Sequence, residues 1–117
     1  MSVIRPKYLV VTNADIDRYG FLGAHLLALI EYVTQLPGER NGRISIDGTT
    51  WWQVSYADLA ASLGGGARRN SVWRKCHELE AAGVLMSCAP ASSKADTTRA
   101  YRVGENRPDL TFHSGET

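Results

Sequence analysis

The longest regular pattern in the chain is helical. Over residues 16–36 apolar positions recur every three or four residues. Leu22, Leu26, Leu29, Val33 and Leu36 form one stripe, and Leu27 and Ile30 widen it. Asn13 or Asp15 can cap the start, Gly20 and Gly23 weaken the first turns, and Pro37-Gly38 stops the helix. Ahead of it, residues 7–12 (KYLVVT) form a short β-prone run. Over residues 43–54 the period drops to two, around Asp47-Gly48. Both turn positions tolerate positive φ, so the segment predicts a two-residue hairpin pairing Ile46 with Thr49 and Ile44 with Trp51. Adjacent strand residues point to opposite faces. Trp52 and Val54 therefore share one face, and Ile44, Ile46 and Trp51 share the other.

A second helical stretch follows. Ser55 stands as N-cap with Asp58 three residues on, and Tyr56, Leu59, Ala60 and Leu63 give a short amphipathic helix ended by Gly64-Gly65-Gly66. The next helix is predicted over residues 67–82. Val72, Cys76 and Leu79, at i, i+4 and i+7, are its buried face, and Gly83 occupies the position after its cap. Residues 84–89 read as a strand, 90–97 as a polar loop and 98–103 as the returning strand. Residues 104–117 read as a loose tail.

The segment VSYADLAASLG, followed by SVWRKCHELEAAGVL, resembles the winged helix-turn-helix domains of bacterial transcription regulators and of plasmid or phage replication proteins. The likeness lies in a short helix ending Leu63-Gly64, the Ser71-Val72 start, and the run Leu79-Glu80-Ala81-Ala82-Gly83-Val84-Leu85 into the following strand. It implies an α+β fold with three helices, a small antiparallel sheet and a β-hairpin wing. One domain would occupy residues 1–103, with an N-terminal helical extension. The chain departs from the pattern twice. The turn between Leu63 and Ser71 is longer by about two residues, and Cys76 stands where an apolar residue is usual; a buried free thiol behaves as a small hydrophobe.

The chain has 117 residues, enough for one compact domain, and 44% of them are hydrophobic. Its net charge is only +1, which argues against a generally basic coat for nucleic acid. The distribution says more. Residues 1–65 hold five Lys/Arg and six Asp/Glu, residues 66–103 hold seven and three, and residues 104–117 hold one and three. No apolar run approaches the roughly 18 residues of a membrane span, and the N-terminus does not read as a secretory signal. Cys76 and Cys88 lack metal-ligand spacing, and His25, His77 and His113 are scattered. The expectation is a cytoplasmic protein with free thiols, no metal and no cofactor. Neither paired carboxylates nor a nucleophile beside a histidine suggests an enzyme.

The positive charge gathers at the start of the third helix. Arg68, Arg69, Asn70, Ser71, Trp73, Arg74 and Lys75 crowd its first turns, opposite Val72 and Cys76. A helix entering the major groove reads bases from this end, where arginine can grip guanine and asparagine adenine. Lys94 in the polar loop and Arg99 on the return strand could reach phosphate. Double-stranded DNA is the expected partner. The surplus apolar face of Ile44, Ile46 and Trp51, with the broad stripe of the first helix, predicts a homodimer suited to two half-sites. The alternative is a winged-helix module that binds another protein, such as a phage-type protein capturing a host factor.

Overall fold

The computed structural model describes residues 3–90 and 98–104 of the 117. They form an α+β fold of three helices and one four-stranded antiparallel sheet, in the order α1 (Asn13–Thr34), β1 (Arg43–Ile46), β2 (Thr49–Gln53), α2 (Tyr56–Leu63), α3 (Arg69–Ala81), β3 (Leu85–Cys88) and β4 (Ala100–Val103). The sheet runs β1-β2-β4-β3.

The hairpin adopts the expected register, Ile46 opposite Thr49 and Ile44 opposite Trp51. Asp47 (φ 53°) and Gly48 (φ 80°) supply the two left-handed positions. Trp52 pairs with Tyr101 and Gln53 with Ala100, which joins the hairpin to the β3–β4 pair. Trp52 is fully buried, and its indole N–H donates to Asn41 O at 3.0 Å, so the largest side chain of the core leaves no donor unpaired.

The core lies between α1, the inner sheet face and the α2–α3 pair. Leu26, Leu27, Leu29, Ile30 and Val33 of α1 are all fully buried within one chain. Val72, Cys76 and Leu79 form the buried face of α3, as their spacing predicts. That helix closes with paired capping bonds: Val84 N–H donates to Leu79 O (3.1 Å) and Gly83 N–H to Glu80 O (3.0 Å), with Gly83 at φ 80°.

The structure corrects four local expectations. Residues 7–12 make no strand. They lie along α1, with Leu9 packed on the core and Tyr8 and Val10 exposed, and pair with none of the four strands. Thr12, not Asn13 or Asp15, caps α1, its hydroxyl accepting from Asp15 N–H at 3.1 Å. Gly20 (φ 78°, ψ 170°) breaks α1 near its start rather than merely weakening it. α3 begins at Arg69, two residues later than predicted, because the glycine turn extends through Ala67.

Candidate nucleic-acid interface

Gly64, Gly65 and Gly66 have φ of 70°, 61° and 81°, three successive left-handed residues that only glycine adopts without strain. Ala67 N–H donates to Gly64 O (3.0 Å), which folds the chain back so that Arg68, extended at φ −112°, becomes the N-cap of α3. The first two helices start with a capping hydroxyl and an acid in the first turn. α3 has neither, so no capping or first-turn side chain of its own compensates the positive end of its dipole. Arg68, Arg69, Asn70, Ser71 and Arg74 are all exposed around this end.

Arg69, Trp73 and His77 lie at i, i+4 and i+8 and form the stripe that looks toward α2 and β4. The Trp73 and His77 rings meet at 4.5 Å between centroids with their planes tilted by 43°, and Trp73 remains 48% exposed. Beyond them Tyr56 of α2 lies 6.5 Å from His77 and 6.2 Å from Tyr101. Tyr101 donates its phenol proton to Tyr56 Oη at 2.8 Å, and burial with this bond raises the Tyr101 pKa. The aromatic row therefore ties α3 to α2 and to the sheet. At its end is a cleft of about 290 Å³ lined by Ser55, Tyr56, Arg69, Thr98, Arg99 and Tyr101. Arg99 is anchored there by donating from Nη2 and Nε to Ser87 Oγ (2.9 and 3.3 Å), while Ser87 donates to Glu80 Oε1 (2.8 Å).

The structure thus gathers Arg69 and Arg99, distant in sequence, on one cleft, with Trp73 on the same stripe as Arg69. It sets Lys75 apart. This lysine points to the break in α1, where its ammonium pairs with Glu78 Oε1 at 2.8 Å and its stem lies close to Gly23. Lys94 lies outside the described residues. Ile44, Ile46 and Trp51 are half-buried on the outer sheet face and do not join the core, and Arg102 lies over the Trp51 ring at 5.8 Å. The centre of the α1 stripe, Leu26, Leu27, Leu29, Ile30 and Val33, is by contrast covered inside its own chain, so its breadth carries no argument for a second subunit.

Sequence reasoning passed over Tyr56 and His77. The i, i+4, i+8 spacing of Arg69, Trp73 and His77 was the available signal for the histidine. Nothing local marks Tyr56, whose place depends on the α2–α3 packing. Among the described residues no group of three or more His, Cys, Asp or Glu could hold a metal ion, and no helix is long and apolar enough to cross a membrane. The chain matches no protein-family model, no curated protein and no solved structure.

Proposed function

We propose that this chain is a DNA-binding protein of winged helix-turn-helix type, with α3 as its recognition helix and the β3–β4 pair as the base of its wing. The observation that carries the reading is the cleft shared by Arg69 and Arg99 beside the first turn of α2. A duplex laid against α3 would meet a guanidinium from the helix, one from the residue just before β4 and the start of α2 along one phosphate run. Arg68, Asn70, Ser71 and Arg74, exposed on the same end, would then face base edges or the flanking backbone. A small transcription regulator, or a phage or plasmid replication or excision factor, fits this arrangement. Pairing of two chains through Ile44, Ile46 and Trp51 belongs to the same proposal.

The half-exposed Trp73 favours a second reading, a winged-helix module that captures a protein, since tryptophan is over-represented at binding hot spots. Fluorescence anisotropy on a short random-sequence duplex separates the two. Arg69→Glu with Arg74→Glu is expected to abolish binding at moderate salt while the circular dichroism spectrum stays that of the parent chain. Binding that survives the double reversal refutes the groove assignment.

A further inference from the structure

We infer that Arg5 belongs to the same DNA-binding surface, seated against the glycine turn at the start of α3; this rests on the DNA-binding reading above. The N-terminal arm is anchored on both sides of Arg5. Ile4 N–H donates to Ser62 Oγ at 3.0 Å, and Ser62 is only 2% exposed. Ile4 and Leu9 both pack on the core. Between these anchors the Arg5 guanidinium lies directly over Gly64: a Cβ built there would collide with Nη2, Cζ and Nε together. Gly64 therefore does two things. It takes the left-handed φ that ends α2, and its missing side chain leaves room for the arginine.

The position matters because the turn folds back at once. Ala67 is hydrogen-bonded to Gly64, and Arg68 follows. Arg5, from the far end of the sequence, thus adds a positive charge at the Gly64 end of the turn that leads into Arg68 and Arg69. The adjoining cleft is lined by Arg5, Lys7, Leu9, His25, Ser62 and Leu63, and among the described residues no carboxylate lines it. Among the described residues no ion pair engages Arg5, which is exposed. An arginine whose backbone is already fixed loses less freedom on binding than one on a free tail, and its planar fork suits a phosphate. The three glycines and the dense charge beside them then have one explanation: the turn brings backbone and a third guanidinium close to an anion.

The alternative is that Arg5 only braces the turn. The full chain with Arg5→Gln and Arg5→Lys, titrated against a random-sequence duplex between about 50 and 200 mM salt, distinguishes the two. One lost phosphate contact lowers the slope of log Kd against log salt by about 0.9. The expected result is that drop for Arg5→Gln and a parent-like slope for Arg5→Lys, which keeps the charge. An Arg5→Gln variant with the parent slope and a lowered Tm overturns the inference while leaving the DNA reading intact. Absence of duplex binding by the parent chain overturns the DNA reading, and this inference with it.

Discussion

Cys76 shows how a single residue can fit a fold without adding chemistry to it. It is fully buried between Val72 and Leu79 on the inner face of α3. Burial, with the Glu80 carboxylate adding to it, pushes its thiol from 9.0 up to about 12. The folded chain keeps this proton while the unfolded chain releases it. The contribution to stability is whole below pH 9 and is lost as the pH rises toward 12, by up to about 1.4 kcal/mol per pH unit. Cys76→Val is expected to flatten the fall of urea-unfolding free energy above pH 9 by close to one proton. An unchanged slope contradicts the burial of the thiol. The phase of α3 was legible at this scale because Val72, Cys76 and Leu79 are the apolar positions that helical spacing brings to one side. The seat of Arg5 was not legible, because only the folded turn brings Gly64 to it.

At the scale of elements, the sequence revealed those whose punctuation is local. Asp47-Gly48 set the hairpin register, Ser55 opened α2 and Gly83 closed α3. It misled where tertiary placement overrides propensity. Residues 7–12 have strand-forming side chains, yet they lie along a helix and pair with none of the four strands. Gly23 belongs to the same lesson: it reads as a weakness in α1 but marks the close approach of α1 to α3. A Cβ there would stand 2.8 Å from Tyr19 Cβ and 3.2 Å from Lys75 Cδ. Gly23→Ala is therefore expected to destabilise by about 1–3 kcal/mol despite alanine's better helix propensity. A thermal melt with Tm at or above the parent value contradicts this packing.

For the whole molecule, the near-zero net charge conceals a local concentration, with Arg69 and Arg99 brought onto one cleft beside α2. The proposed self-association draws on the outer sheet face, since Leu26, Leu29 and Val33 of the α1 stripe are buried within their own chain. The proposed pairing through Ile44, Ile46 and Trp51 predicts a sedimenting mass near twice 12.8 kDa, reduced to that of one chain by Trp51→Glu. A parent chain that already sediments at 12.8 kDa at micromolar concentration contradicts it.

The most direct measurement is a map of amide chemical-shift changes when a short duplex is titrated into the nitrogen-15-labelled chain. DNA binding through α3 predicts that the largest changes fall on Arg68, Arg69, Asn70, Ser71 and Arg74, with a second group at Ser55, Tyr56 and Arg99, and that they fade as salt rises. Changes centred on Ile44, Trp51 and Arg102, or none at low salt, would contradict it.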